Sequence, residues 1–262
     1  MATSHHVDAL VIGATGLIGR HVGMALEEQG ISWQGTFHRR PEAGLVPCDV
    51  TQSDAIRRVL DACRPKTVFH CVNLSGGVDF CESHPKQARQ FHVEAIRTIG
   101  SWCQADDAML VFVSTDYVFD GKQPPYREDD PPNPLNVYGA LKLEAERWIQ
   151  AHLRRYVVIR TTNVYGWDPQ SSTPNYMMNL YQTLKTGGPF RAQSFLWCTP
   201  TYVEDLACAM VELVSKGAHG VFHVVGRSFL TRFEWARETC KVLGFEASLV
   251  QEMMSPSPTM AP

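Results

Sequence analysis

An apolar run that ends in glycines limits what this chain can fold into more than any other feature. DALVIGATG (8–16) reads as a short strand breaking into a glycine turn. LIGRHVGMALEEQG then puts Leu17, Ile18, Val22, Ala25 and Leu26 on one helical face before Gly30 stops the helix. The alternation continues with SWQGTFH (32–38) as a strand, SDAIRRVLDAC (53–63) as a helix that Thr51 or Ser53 can cap, and TVFHCVN (67–73) as a strand. A long helix over 84–104 and the strand AMLVFVST (108–115) follow, then a proline-rich loop (120–134), a helix over 135–153 and the strand YVVIRTT (156–162). The strands are apolar throughout, as strands covered on both faces are, so the pattern predicts an α/β fold built on a doubly wound parallel sheet. After Tyr165-Gly166 the rhythm lapses into a polar loop, a helix and an irregular stretch. It returns with a helix at 203–217, a strand at 220–226 and a helix at 231–244, and SPSPTMAP at the end has turn-like composition.

Composition narrows the function classes. The 262 residues are 44% hydrophobic and carry a net charge of only −3 with scattered cations, which leaves no footprint for nucleic acid or an anionic membrane. No run of 18 apolar residues occurs, and MATSHHVDALVIG lacks a charged leader and a cleavage site, so a cytoplasmic chain is expected. The eight cysteines stand singly, without CxxC or Cys/His ligand spacing. They are expected as buried thiols, with no metal and no disulfide.

In GATGLIG, Gly13, Gly16 and Gly19 fall between the first strand and its helix. There a tight turn lets backbone N–H groups at Thr15, Leu17 and Ile18 and the helix N-terminus face a pyrophosphate, which predicts a Rossmann-like dinucleotide site. At the end of the second strand, where an NAD enzyme presents a carboxylate to the ribose, this chain has His38-Arg39-Arg40. A guanidinium pairs with a 2′-phosphate that a carboxylate would repel, so Arg39 and Arg40 favour NADP(H) over NAD(H). Asp49, in PCDVT, is either an acceptor for an adenine amino group or a solvated turn acid.

Reducing a ketone needs a hydride for carbon and a proton for oxygen. Tyr138 and Lys142, at i and i+4 in VYGALK, share one helical face, so the ammonium and the nicotinamide charge can lower the phenol toward working pH. Thr115 ends the strand VFVST and points a hydroxyl beyond its C-terminal end, where such sheets bind ligands, with Ser114 as the alternative. Taken alone, a Tyr-x-x-x-Lys pair is as well explained by a surface helix.

Together GATGLIG, CDV, STDYVFDG (114–121), YREDDPPNPLNVYGALKLEAE (126–146) and RTTNVYG (160–166) resemble an extended short-chain dehydrogenase/reductase. The nearest group is that of dTDP-4-dehydrorhamnose reductase, which includes the methionine adenosyltransferase regulatory β subunit. The resemblance implies an NADP-binding domain over 1–166, rejoined by 203–226, and a small substrate-binding lobe from 167–202 and 227–262. It makes Thr115, Tyr138 and Lys142 catalytic and adds Val50, Cys71, Val72 and Asn73 to the cofactor contacts, with Tyr138 and Lys142 touching the cofactor too. It puts Ser114, Asp116, Tyr117 and Asn163 against a nucleotide-linked sugar. The implied activity is NADPH-dependent reduction of the 4-keto group of a nucleotide-activated deoxysugar, with a homodimer as the assembly to test for. Two alternatives stay open, a non-catalytic NADP-binding regulatory subunit and a nucleotide-sugar epimerase or dehydratase. Against a dehydratase, no Glu follows Asp116 directly. Asn163 stands where the sugar reductases usually have a tryptophan, which leaves the sugar open.

Overall fold

The computed structural model of the chain describes residues 6–74, 76–168 and 174–255. The polar run 169–173 and the end from 256, including most of SPSPTMAP, lie outside the described residues, as does Ser75.

In chain order the elements are β1 (Ala9–Ile12), α1 (Leu17–Glu28), β2 (Trp33–Phe37), β3 (Val46–Pro47), α2 (Ser53–Cys63), β4 (Thr67–His70), α3 (Gly77–Ser83) and α4 (Pro85–Arg89). A π-helical turn, Gln90–Glu94, leads into α5 (Ala95–Ala105) and β5 (Met109–Thr115), and a 3₁₀ turn, Asp116–Val118, precedes α6 (Val137–His152) and β6 (Tyr156–Thr161). Then come β7 (Val164–Tyr165), α7 (Tyr176–Lys185), β8 (Phe190–Gln193), β9 (Trp197–Cys198), β10 (Thr201–Tyr202), α8 (Val203–Ser215) and β11 (Gly220–His223). β12 (Leu230–Thr231), α9 (Arg232–Leu243) and β13 (Val250–Met253) complete the set.

Two compact units result. Among the described residues, one holds those up to Thr161 with Glu204–Val224, and the other holds Thr162–Val203 with those from Val225 on. The first is a seven-stranded sheet in the order β11-β6-β5-β4-β1-β2-β3, every neighbour parallel. This is the doubly wound sheet that the apolar strands predict. β1, β4, β5 and β6 are buried along their whole length. Ile56 and Leu60 of α2, Ile96 and Ile99 of α5 and Ile149 of α6 pack with Leu10, Val68, Leu110 and Phe112 of the sheet. Each such aliphatic side chain contributes about 1.5–3 kcal/mol by leaving water.

The expected single helix over 84–104 is interrupted. His84 sits at φ −134°, ψ 57°, outside the helical region, because Pro85 follows and crowds it there. The π-helical turn then adds a residue to the helix at 90–94 and turns His92 and Val93 into the interior.

The second unit has its own small core of Leu180, Leu184, Phe190, Ala192, Ala236, Cys240 and Val250. Its strands pair two by two, β10 with β7, β12 with β9 and β13 with β8. Seven cysteines are buried as expected, but Cys208, on α8, is exposed. Its neighbours Leu206, Ala207, Met210 and Val211 supply the helix's buried face, so the position between them turns outward.

Candidate active site

Strand order reverses between β1 and β4, and the crevice past the carboxyl ends of such strands is where open α/β sheets bind ligands. The turn after β1 is built to lie close against the loop after β4. Gly13 has φ +89°, and a Cβ there would come within 2.5 Å of Val72 Cγ1, so only glycine fits. A Cβ on Gly19 would lie 2.2 Å from the Gly13 carbonyl oxygen, which lets α1 start directly against the turn. Thr36 of β2 fixes the turn from below: its Oγ1 accepts from Gly13 N at 3.1 Å and its carbonyl from Ala14 N at 2.9 Å. Gly16 caps α1 with no side-chain acceptor, and the first turn of the helix carries no acid. That leaves a cradle of backbone donors at the positive end of a helix dipole, the fit a pyrophosphate requires.

Arg40 donates to the Thr15 carbonyl and so lies over the cradle, while Arg39 is exposed. Glu42 lies within electrostatic reach of Arg40, and Arg39 lies within reach of Asp49. Its Oδ1 accepts from Thr51 N at 2.9 Å and Thr51 Oγ1 at 2.8 Å, and its Oδ2 lies 3.7 Å from His38 Nε2. Burial works to raise its carboxyl, yet the Thr51 bonds and the His38 and Arg39 charges outweigh it and hold the group below the usual range. Val50 and Cys71 are buried, and Asn73 is exposed with its Oδ1 accepting from Leu74 N at 3.0 Å.

The other half of the first unit's site is assembled by α6. Asn136 caps the helix by accepting from Gly139 N at 2.8 Å, which puts Tyr138 in the first turn. Gly139 allows close approach, since a Cβ there would sit 2.1 Å from the Tyr117 carbonyl oxygen. Tyr138 therefore meets the 3₁₀ turn after β5, edge-on to Tyr117 with ring centroids 5.9 Å apart, and Thr115 is a hydrogen-bonding neighbour of its phenol. Thr115 Oγ1 also donates to Asp116 Oδ1 at 3.1 Å and accepts from Tyr117 N at 3.2 Å. Thr115, Asp116, Tyr117, Tyr138 and Lys142 are thus brought together.

Ser114 is not open in the same way, because its hydroxyl donates to the buried carboxylate of Glu146. Glu146, one turn beyond Lys142, is paired with Arg160 of β6 at 2.8 Å, and both are within 5% of complete burial. Arg160 Nη1 also donates to the Glu128 carbonyl at 3.2 Å, tying the 120–134 loop to the sheet.

Lys142, 2% exposed, donates to the Val113 carbonyl at 2.9 Å and lies 4.7 Å from the Phe112 ring centroid and 5.9 Å from that of Tyr138. Burial lowers its pKa to about 8, against the opposing pull of Glu146. Tyr138 beside it is shifted the other way. Burial, with the Asp116 charge, pushes the phenol well above its ordinary value.

Two histidines join this cluster without having been expected. His92 meets the Tyr138 ring edge-on at 5.4 Å, and its Nε2 lies 3.9 Å from Cys81 Sγ. His70, at the end of β4, is fully buried beside Phe112. Burial first, then the Lys142 charge, presses His92 to about 2 and His70 to about 3, so both are neutral. No residue pattern in the sequence marks either one, because their placement depends on the π-helical turn and on the strand's end.

In the second unit Asn163 adopts φ +43°, and its Oδ1 accepts from Arg232 Nη2 at 3.2 Å. Among the described residues no group of three or more His, Cys, Asp or Glu is arranged to hold a metal, and no helix is long and apolar enough to cross a membrane.

The RmlD substrate binding domain family matches residues 7–262 of the chain. The chain belongs to this family. One relative, methionine adenosyltransferase 2 subunit beta of Danio rerio, is 32% identical over 246 residues, which cover 89% of this chain and 72% of that one. The probable low-salt glycan biosynthesis reductase Agl14 of Haloferax volcanii is 29% identical over 248 residues, 93% of this chain and 82% of that one. Among solved structures, a hypothetical dTDP-4-dehydrorhamnose reductase from Sulfolobus tokodaii superposes with a TM-score of 0.86 at 28% identity, covering 97% of this chain and 88% of that one. The dTDP-4-dehydrorhamnose reductase of Bacillus anthracis, solved in complex with NADP, gives 0.85 at 24% identity over 97% and 89%, a likeness of fold. This RmlD-family chain therefore shares the fold that its motifs predict.

Proposed function

We propose that this RmlD-family chain is an NADPH-dependent reductase of the 4-keto group of a nucleotide-activated deoxysugar, with Tyr138 as proton donor. The observation that supports the reading is the placement of Tyr138: its phenol lies beside Thr115 with Lys142 one helical turn away, and burial favours its protonated form. A group of raised pKa donates a proton only when a stronger base forms next to it, and the alkoxide left by hydride addition to a ketone is such a base.

When bound, NADPH supplies the hydride. The glycine cradle, Arg39 and Arg40 would hold its phosphates. Thr115 hydrogen-bonds the ketone oxygen and fixes it near the phenol, and Tyr138 gives its proton to that oxygen, so that ketone becomes alcohol. The Lys142 ammonium stabilises the phenolate left behind. Neutral His70 and His92 add no competing positive charge to the cluster.

The test is oxidation of NADPH against a panel of dTDP-, GDP- and UDP-linked 4-keto-6-deoxysugars. Tyr138→Phe is expected to reduce turnover at least ~100-fold, the lower range for loss of a general acid, while changing NADPH affinity less than about threefold. A full rate in Tyr138→Phe would sink the assignment.

A second reading rests on the relatives named methionine adenosyltransferase 2 subunit beta, the Danio rerio protein at 32% identity among them. In that reading the same residues bind NADP(H) without turnover. Tight NADPH binding with no oxidation by any keto-sugar, together with association with a methionine adenosyltransferase, would favour it.

A further inference from the structure

The π-helical turn Gln90–Glu94 has an outer side as well as the inner one that carries His92 to Tyr138. Gln90 and Glu94, its two end residues, line a groove of about 460 Å³ between α2 and α5 in the first unit, a volume that suits a small ligand. Two contacts set the register of these helices. Ser53 Oγ lies 3.3 Å from Thr98 Oγ1, and Trp102 Nε1 donates to Asp61 Oδ1 at 2.8 Å. Arg57 and Ser101, one turn on from Ser53 and Thr98, therefore fall between those contacts and line the groove from opposite walls.

Of the charged residues lining the groove, Arg97 and Glu94 are spent in a closed ring of ion pairs. Arg89 pairs with Glu144, Glu144 Oε1 lies 3.2 Å from Arg97 Nη2, Arg97 Nη1 lies 3.3 Å from Glu94 Oε1, and Glu94 Oε1 lies 3.5 Å from Arg89 Nε. Arg57 stands outside the ring. It is exposed, and among the described residues nothing engages its guanidinium or the Ser101 hydroxyl. An unspent planar fork facing a free hydroxyl is the chemistry that recognises a phosphate. The ring also ties the turn to α6, since Glu144 lies two residues past Lys142. An anion drawn to Arg57 would repel the Glu94 carboxylate and compete with it for Arg97, which unfastens one end of the turn. A π-helical turn differs from an α-helix by one residue, so the alternative register is a discrete second state, and in it His92 would leave the edge-on contact it makes with the Tyr138 ring at 5.4 Å.

We infer that the groove between α2 and α5 is a regulatory site for a phosphate-bearing small molecule, held by Arg57 and Ser101, and that the π-helical turn carries its effect to Tyr138. The site acts on Tyr138 whether that residue serves reduction or only cofactor binding.

Inorganic phosphate titrated into the full chain saturated with NADP(H), which keeps the probe off the glycine cradle, tests this, with sodium chloride at equal ionic strength as the blank. Calorimetry reads the binding, and the imidazole NMR signals of His92, assigned by their loss in His92→Gln, read the turn. Phosphate should bind with a Kd in roughly the millimolar range, and Arg57→Ala should weaken it about tenfold, the lower range for a lost charge-assisted hydrogen bond, while NADP(H) affinity stays unchanged. Ser101→Ala, on the opposite wall, should weaken it several-fold. The His92 signals should move as phosphate saturates the wild type and stay in place in Arg57→Ala at the same concentration. Both substitutions are at exposed positions, so the fold is kept. No binding beyond the chloride blank, equal affinity in wild type and Arg57→Ala, or binding that leaves the His92 signals unmoved, an adventitious ion only, overturns the inference.

Discussion

Replacing Lys142 by methionine should remove a specific pH dependence of stability. The ammonium is 2% exposed, and its pKa falls from 10.5 to about 8 because burial disfavours the charged form more than Glu146 restores it. For a base with a depressed folded pKa, the unfolded chain binds more protons between the two values, so stability rises with pH across that window. The full fall corresponds to about 3 kcal/mol at 1.36 kcal/mol per pH unit, of which about 2 kcal/mol is reached by about pH 9.5. The buried thiols act in the opposite sense. Burial raises Cys48 to about 11 and Cys71 and Cys103 to about 12, so above the ordinary thiol range they make the folded chain bind more protons and stability falls. Wild type by itself therefore mixes two trends, and the difference between wild type and Lys142→Met isolates the lysine. Urea unfolding followed by tryptophan fluorescence, from about pH 7 to 9.5, should show wild type gaining about 2 kcal/mol on the variant. A difference constant to within about 0.5 kcal/mol would mean that the ammonium is not desolvated, and the account of the cluster would be wrong.

Three further outcomes are expected. Glu146→Gln leaves Arg160 buried without its partner and should cost about 3–5 kcal/mol, on the order of 10 °C in melting temperature, whereas Glu146→Met with Arg160→Leu should recover most of it. A loss below about 1 kcal/mol in the single variant refutes the view that this pair anchors α6 to the sheet. Arg39→Ser should weaken NADPH roughly tenfold and NADH hardly at all, because in the proposed binding mode the exposed guanidinium pairs with the 2′-phosphate that NADH lacks. Arg40→Ser should weaken both cofactors in fluorescence titrations, since Arg40 also holds the Thr15 carbonyl of the cradle.

The sheet was legible because its signals are local. An apolar run such as MLVFVST declares its own burial, and the glycine turn declares the start of the next helix. Asn136, a residue type that caps helices, is an equally local signal for the start of α6. Other features have no local signature. The π-helical turn that delivers His92 to Tyr138 comes from how 84–105 packs, and the pairing of Glu146 with Arg160 spans 14 residues across two elements. Asn163 and Arg232 are 69 residues apart, so a motif can mark the asparagine without revealing that its oxygen serves an arginine.

The sign of the Tyr138 shift bears on the proposed proton transfer. A phenol lowered toward neutrality would suit a general base that removes a proton from an alcohol, as oxidation requires. Here burial acts oppositely on two neighbours, raising the acid form of Tyr138 and lowering Lys142 to about 8. The pair thus starts as a protonated phenol beside a cation that titrates close to neutral pH, a resting state poised to give a proton. A phenolate formed at Tyr138 would strengthen the hold on the Lys142 proton through their mutual attraction, so the charge that stabilises the product state rises as the proton leaves. The same enclosure that makes the cluster costly to fold keeps the phenol protonated until an alkoxide forms beside it, as the proposed reduction requires.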